Sequence, residues 1–395
     1  MTGPGPVMLS RQRSFARPAV LLSAAALGAG LLFWLAVSCR FEPVRSDGYL
    51  WGAYHVHSGL SDGLGSLAEI AAAARESGVS FVVLADHGAP NFQSNALART
   101  ISGVRFIGGS EAGMADGHLV VIGSRRTPRH RLPPFPPEAV DDIRAWGGLA
   151  VVAYPVRGKT PWRDWHPDFL PDGIEVINPS AEMSRMGWLQ KFAAFHLGLW
   201  SEYELLRFVK DPRDVLARWD QLLVRGPGRG YYAVTTHGGF TIDGVGGVRY
   251  PSYRQIFNLI GLGVSGRYQH DPMAALRSGD FFSVLRGAGE PDWFEFRAAA
   301  GGRSFSPGEN APRGAALSCR VRFRGGRTRL VLYRDGRRCR DLEGGDLCLG
   351  PAGPGVYRVE VQLPDHPVLP PGTPWILSNP ITVLPGGGLP GEAAA

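Results

Sequence analysis

Cysteine and lysine are both scarce in this sequence of 395 residues. The four cysteines include no CxxC pair, which argues against a zinc site made of thiolates. Lysine occurs only as Lys159, Lys191 and Lys210, so arginine supplies nearly all of the positive charge behind the pI of 9.4. Alternate arginines between Arg320 and Arg329 indicate a solvated strand face, and nucleic acid is not expected as a stable partner.

The balance of apolar and charged residues is that of a folded protein. Hydrophobic residues make up 44% and charged residues 19% of the chain, which excludes disorder over its whole length. The length exceeds what one core usually organises, so we expect two folded units. No internal repeat occurs.

The N-terminal region has the pattern of a membrane segment. Arg11, Arg13 and Arg17 precede an uncharged stretch, residues 18–39, that is long enough to cross a bilayer. Positive charge before the stretch predicts an N-terminus in the cytoplasm and the bulk of the chain outside the bacterial membrane, in the periplasm. A single-span anchor and a cleaved signal peptide both fit. The letters AVSC, which end at Cys39, also resemble a lipobox, with Ala36 in place of the usual leucine.

The other three cysteines lie near the C-terminus. Cys339 and Cys348 flank a short glycine-containing stretch, as cysteines on a hairpin would, and Cys319 precedes them. An oxidising compartment would permit a disulfide between two of the three, and the spacing leaves the pair open.

The rest of the chain shows two different patterns of apolar residues. From Gly48, apolar runs alternate with helical stretches, which predicts an α/β layer or barrel with parallel strands. After about Trp293, short alternating runs broken by glycine and proline predict a small β-sandwich. We therefore expect four parts: an N-terminal stub and membrane segment at 1–47, an α/β domain at 48–293, a β-sandwich at 294–385 and a disordered tail at 386–395.

Metal-ligating side chains collect at the ends of the α/β strands. His55 and His57 alternate along one strand, so both imidazoles can reach one metal. Strand ends are where α/β folds place their ligands. The candidate metal ligands are His55, His57, Asp62, His87, Glu111, His118 and His237.

Imidazole and carboxylate ligands without thiolate suit Zn²⁺, Mn²⁺ or Fe²⁺. Ions held close together can activate water and neutralise an anionic leaving group. Hydrolysis of a phosphoester is the natural chemistry, with His55, His57, Glu111 and His237 as the expected catalytic residues.

Five motifs in order resemble those of the PHP superfamily, the polymerase and histidinol phosphatase domain. They are GYLWGAYHVHSGLSDG, FVVLADHGAPN, GSEAGMADGHLVVIG, LAVVAYP and AVTTHGG, and the resemblance covers about residues 48–289. The trailing β-sandwich and the exported N-terminus resemble the branch with carbaryl-hydrolase-type metallohydrolases. The resemblance implies a distorted (β/α)7 barrel with up to three metals.

The resemblance also implies how the ligands divide. His55, His57 and Glu111 would hold one metal, and Glu111 and His118 a second. Asp62, His87 and His237 would hold the third.

Two ligands of the family pattern are replaced in this chain. Tyr154 stands in place of a histidine, and Thr235 in place of an aspartate. One or two metals are therefore expected rather than three. The Tyr154 phenol could orient a substrate oxygen, and Asp243 could substitute as a ligand.

Other charged residues lie near these strand ends. Arg157 and Lys159 could attract an anionic group of the substrate, or be ordinary loop charges. Glu175, near Asn178, could orient a ligating histidine or form a plain salt bridge inside the barrel.

The leading hypothesis is a membrane-tethered phosphoesterase that uses metal-activated water on a small anionic substrate. Hydrolysis of a carbamate or ester at the same site is an alternative. A third possibility is a degenerate site that binds a ligand or partner without turnover. The substrate, the oligomeric state and the role of the β-sandwich are not determined by the sequence.

Overall fold

The computed structural model of the protein describes residues 16–37, 43–158, 160–199, 201–242 and 246–386. The α-helices in this part are α1 (Ala16–Val37), α2 (Leu67–Glu76), α3 (Phe92–Asn95), α4 (Pro136–Ala145), α5 (Pro179–Arg185), α6 (Trp188–Gly198), α7 (Arg213–Leu223), α8 (Tyr253–Phe257) and α9 (Pro272–Ser278). Short 3-10 helices cover Glu202–Phe208, Gly266–Tyr268 and Arg286–Ala288. Helix α6 ends at Gly198, and a 3-10 segment begins at Glu202.

The α/β half contains the first fourteen strands of the described chain. They are β1 (Leu50–Val56), β2 (Val79–Leu84), β3 (Asp86–His87), β4 (Ala98–Ile101), β5 (Val104–Ile107), β6 (Gly109–Gly113), β7 (His118–Ile122), β8 (Leu149–Ala153), β9 (Gly173–Ile177), β10 (Arg229–Tyr232), β11 (Phe240–Ile242), β12 (Gly246–Val248), β13 (Gly261–Val264) and β14 (Phe281–Val284). Strands β8 and β9 are buried at every position, which explains their continuous apolar runs.

Two sheets meet at the edge that carries the predicted ligands. One has the order β10-β9-β8-β7-β6-β3, and the other contains β13-β1-β2-β5-β4. An isolated bridge joins Val56 to Thr236, and the Val234 amide donates to the Tyr54 carbonyl over 2.9 Å. Within the described residues, no continuous ladder closes these sheets into the predicted (β/α)7 barrel, and the fold is mixed α/β.

The strand pairing corrects one expectation. Parallel pairs are present at β1-β2-β5, β3-β6 and β8-β9-β10, whereas β6-β7-β8 and β1-β13-β14 are antiparallel. The connection from β6 to β7 spans only residues 114–117, which is too short for the crossover that parallel strands need.

The C-terminal half contains ten strands in its described part. They are β15 (Trp293–Ala300), β16 (Arg303–Phe305), β17 (Asn310–Ala311), β18 (Ala316–Arg322), β19 (Arg329–Arg334), β20 (Arg337–Glu343), β21 (Asp346–Leu349), β22 (Gly355–Gln362), β23 (Pro374–Ser378) and β24 (Ile381–Val383). Strands β16-β15-β18-β21 form a separate sheet, and the others continue the sheet of β1 through the pair β14-β23.

The three C-terminal cysteines are free thiols in the structure. Cys319 is buried on β18, while Cys339 and Cys348 are exposed. Cys339 and Cys348 do not share a hairpin, because β20 pairs with β19 and β21 pairs with β18.

The N-terminal predictions fall largely outside the described residues. Residues 1–15 and 38–42, with Arg11, Arg13 and Cys39, are not described, and neither are several side chains of α1. In the part that is described, no helix is both long and apolar enough to cross a membrane. Of the tail predicted to be disordered, only Gly386 is described. Anchor, cellular location and tail therefore stay predictions.

A buried arginine joins the C-terminal strands to α7. Arg358 on β22 is 2% exposed, and its guanidinium donates to both Asp220 oxygens over 2.6 and 2.8 Å and to Glu360 over 2.7 Å. The guanidinium also lies 4.2 Å from the ring centroid of Tyr333. Asp220 therefore depends on this buried cation, which Glu360 shares with Arg213.

Replacing that cation should destabilise the protein strongly. We expect Arg358→Met to lower the free energy of unfolding by about 3–5 kcal/mol, because Asp220 would lose its counter-charge and Glu360 would keep only Arg213. Denaturant unfolding followed by fluorescence measures the change. Arg329→Met is the matched control, since Arg329 pairs with Asp341 at the surface and should matter little. Equal effects of both substitutions would contradict the assignment.

Candidate metal centre

Backbone pairing brings the predicted ligands to one place. His87 on β3 lies opposite Glu111 on the parallel strand β6, and His118 begins β7, the antiparallel neighbour of β6. His57 follows β1, and its amide donates to the Thr236 carbonyl next to His237 over 3.0 Å. Residues that are far apart in the sequence therefore meet where neighbouring strands end.

The first two histidines do not meet by simple strand alternation. The φ angle of His55 is +73°, and the register between β1 and β2 shifts between Tyr54 and Val56. The Nε2 atoms of His55 and His57 still lie 3.1 Å apart, so both imidazoles reach one point. A left-handed backbone at a residue with a Cβ is uncommon and is concentrated at functional sites.

Two groups of side chains could each hold a metal ion. The inner group is His55, His57 and Glu111, which are all buried. The outer group is His57, Asp62, His87 and His237, and it reaches the surface. Within each group the ligand atoms lie within 4.8 Å of one another. His57 belongs to both groups.

Glu111 joins the two groups. Its Oε2 lies 3.2 Å from His55 Nε2, 3.4 Å from His57 Nε2 and 3.6 Å from His87 Nδ1. Its Oε1 lies 3.1 Å from His118 Nδ1. His118 thus contacts only Glu111 among the predicted ligands and belongs to neither group.

Charge at the centre follows from burial and from these contacts. Burial alone would lower the pKa of His55, but the Glu175 and Glu111 carboxylates outweigh it and raise that pKa to about 10. Burial lowers the pKa of His57 well below its usual range, and the neighbouring His55 and His237 lower it further. Burial would raise the pKa of Glu111, yet the imidazoles hold it well below its usual range. The Glu111 carboxylate and the neutral His57 imidazole are therefore in the forms that bind cations, whereas His55 would have to release a proton to bind one.

Unsatisfied atoms show that the residues fit a metal. His57 Nδ1, Glu111 Oε1 and His118 Nδ1 are buried and make no well-aligned hydrogen bond, although Glu111 Oε1 and His118 Nδ1 lie 3.1 Å apart. Buried polar atoms normally have partners, so unsatisfied nitrogen and oxygen atoms on three of the predicted ligands indicate a group that binds there. Nitrogen and oxygen donors suit divalent Zn, Mn or Fe.

Glu175 holds His55 from behind. Its Oε1 lies 2.5 Å from His55 Nδ1, and its Oε2 accepts from the Asn178 amide over 2.7 Å. Asn178 Oδ1 in turn caps α5 by accepting from the amides of Ser180 and Ala181. Glu175 therefore orients the ring of His55 with Nε2 toward the ligand site, as carboxylates behind metal-bound histidines do.

Asp86 supports the loop that carries Asp62. Its carboxylate accepts from the Ser58 amide over 2.7 Å and from the hydroxyls of Ser58, Ser61 and Ser94. These bonds fix the chain just before Asp62, whose side chain is 54% exposed at the outer group. This supporting role of Asp86 was not predicted from the sequence.

Tyr154 and Thr235 lie where the family pattern places further ligands. The ring centroid of Tyr154 is 6.0 Å from that of His118 and 6.3 Å from that of His55. Burial and the carboxylates of Glu111 and Glu175 raise the Tyr154 pKa well above its usual range, so the phenol stays protonated. Thr235 Oγ1 is buried without a hydrogen-bond partner.

The remaining candidates from the sequence are Arg157, Lys159 and Asp243. Arg157 is engaged by Glu182 at 2.7 Å and by both oxygens of Asp214. The expectation that Arg157 attracts an anionic group of the substrate stays a prediction. Lys159 and Asp243 lie outside the described residues.

A cavity of about 640 Å³ opens beside the outer group. On the metal side it is lined by Asp62, His87, Glu111, His118, Tyr154 and His237. On the other side it is lined by Thr160, Ser180, Ala181, Met183, Ser184, Lys191, Phe195 and Phe240. Sequence reasoning missed Lys191. A lone cation inside the apolar run WLQKFAAF was the available signal.

Comparison with known proteins gives only distant likenesses. No protein-family model matches the sequence, and neither does any curated protein. A two-domain protein from Bacteroides vulgatus that contains a predicted PHP-like metal-dependent phosphoesterase is 14% identical, with a TM-score of 0.34, over 87% of this chain and 99% of that one. A candidate metal-dependent phosphoesterase from Bifidobacterium adolescentis is 15% identical, with a TM-score of 0.31, over 54% and 96%.

An amidohydrolase from Chromobacterium violaceum, with bound sulfate and no metal, is 17% identical, with a TM-score of 0.25, over 37% of this chain and 83% of that one. These TM-scores and identities are too low to carry an argument about this chain. The reading of the site therefore depends on its own geometry.

Metal content tests that geometry. We expect the purified full chain to retain divalent metal, and His57→Ala to lose most of it, because His57 serves both groups. Elemental analysis after dialysis against metal-free buffer measures the ratio of metal to protein. His130→Ala is the control, since His130 pairs with Asp142 at the surface. Wild-type metal content in His57→Ala would refute the shared ligand.

Proposed function

We propose that this chain is a metal-dependent hydrolase of the PHP type that acts on phosphoesters. The observation that carries the proposal is that His57 is shared by two adjoining ligand groups, one buried and one open to a cavity. The order of the five sequence motifs supports the same assignment. A bound divalent cation would activate water and offset negative charge on the departing group.

The inner and outer ligand groups have different proposed roles. Glu111 and the buried histidines of the inner group define a fixed position for a cation. Asp62, His87 and His237 form the open side, where a substrate can approach, since Asp62 and His87 are 54% and 44% exposed. A site that keeps an open side toward a cavity is typical of catalytic rather than structural metal centres.

Tyr154 is proposed as a hydrogen-bond donor to the substrate. It lines the cavity next to His118, and its phenol remains protonated at neutral pH because its pKa is raised. A neutral donor at this position can hold an oxygen of the substrate in place, and it needs no charge of its own. The substitution of histidine by tyrosine would thus replace a ligand by an orienting group.

Turnover by the metal-loaded full chain tests the proposal. We expect hydrolysis of p-nitrophenyl phosphate or bis(p-nitrophenyl) phosphate that is lost when a chelator removes the metal. His57→Ala and His237→Ala should each lower kcat/KM by about 100-fold or more, as loss of charge-stabilising groups does. His130→Ala should behave as the wild type.

Other results would redirect the assignment. Faster hydrolysis of an aryl carbamate than of either phosphoester would favour the ester and carbamate chemistry instead. Bound metal with no turnover of any of these substrates would favour a binding module. Activity that survives both histidine substitutions would contradict the site itself.

A further inference from the structure

Lys191 is the one cation among the described residues that line the cavity but are not metal-ligand candidates. It lies on α6, and no carboxylate in the described part of the chain pairs with it. Arg157, the nearby candidate from the sequence, is by contrast held by Glu182 and Asp214. The lysine charge is therefore available to a molecule that enters the cavity.

The position of Lys191 is fixed by the packing of its helix. Phe195, one turn further along α6, lines the same cavity, so this face of the helix points into it. The Phe195 carbonyl accepts from the Tyr250 hydroxyl over 2.7 Å, and its ring lies 5.1 Å from that of Phe208. The helix that carries Lys191 is thus anchored to the body of the protein.

The surroundings of Lys191 are of two kinds. Thr160, Ser180 and Ser184 line the cavity, and their hydroxyl groups can form hydrogen bonds with a charged group. Met183, Phe195 and Phe240 supply an apolar surface on the same side. The cavity volume of about 640 Å³ is in the range of sites for organic ligands and exceeds what inorganic phosphate would fill.

We propose that Lys191 binds the anionic phosphate of a phosphoester whose alcohol part is apolar and contacts Met183, Phe195 and Phe240. The inference rests on the proposed function and narrows it to a substrate class. An ammonium ion in the cavity that the metal ligands also line would offset the phosphate charge that the metal centre leaves uncompensated. The neighbouring apolar surface would favour an aryl or alkyl leaving group over a polar one.

The experiment compares Lys191→Met with Lys210→Met in the metal-reconstituted full chain. Lys210 is matched in type and does not line the cavity. The measurements are the Kd for inorganic phosphate by calorimetry and the KM and kcat for phenyl phosphate, glycerol 2-phosphate and p-nitrophenyl acetate. Metal content is checked in each variant.

We expect Lys191→Met to raise the Kd for phosphate and the KM for phenyl phosphate by about tenfold or more, the effect of losing one charged hydrogen bond. Its kcat for phenyl phosphate and its KM for the uncharged acetate should stay near wild type. Lys191→Arg should restore part of the phosphate affinity. The wild type should have a lower KM for phenyl phosphate than for glycerol 2-phosphate.

Several results would overturn the inference. Phosphate affinity that is unchanged in Lys191→Met would remove the lysine from substrate binding, even if phosphoesters are hydrolysed. Loss of metal or of acetate hydrolysis in Lys191→Met would make its role structural. Preference for glycerol 2-phosphate would contradict the apolar leaving group. If no phosphoester is hydrolysed, the proposed function fails, and the phosphate Kd still decides the role of Lys191.

Discussion

The burial of the Glu111 carboxylate among imidazoles is the constraint on which the centre depends. A carboxylate that is 2% exposed is stable only with positive charge or hydrogen-bond donors around it, and His55, His57, His87 and His118 all approach its two oxygens. His118 Nδ1 lies 3.1 Å from one of those oxygens, Oε1, but the two atoms make no well-aligned hydrogen bond. The Glu111 charge lies where the strand ends meet. The Glu175 carboxylate behind His55 and the opening of the cavity lie around it.

Much of the fold could be predicted because its strands carry a strong apolar signal. The runs in β2, β8 and β9 are buried on both faces, and glycine or proline marks where they end. Strand β20 could not be predicted, since every residue in RRCRDLE is exposed and no alternation results. The joining of the C-terminal strands to the first sheet through β14 and β23 also has no local signal, because pairing between distant strands is decided by packing.

More of the candidate site than of the fold could be predicted from the sequence, because histidine and carboxylate side chains have specific metal-binding chemistry. The members of the two candidate ligand groups are all among the histidines and carboxylates that the sequence pattern singled out, and their binding of metal stays a prediction. The roles of Asp86 and Lys191 needed the structure. Asp86 is recognised only by the serine hydroxyls that it accepts from, and Lys191 only by the wall of the cavity that α6 supplies. The ion pairs of Arg157 also could not be predicted from the sequence, because its carboxylate partners lie 25 or more residues away in the chain.

The most direct test of the account is to locate the metal. Crystals of the zinc-reconstituted protein, measured by anomalous scattering, should show a peak about 2.0–2.2 Å from the nitrogen and oxygen ligands of at least one group, with His57 in contact. A second peak at the other ligand group would show that both groups can hold an ion. An ordered centre with no anomalous peak at either group, or a peak that His57 does not touch, would contradict the account.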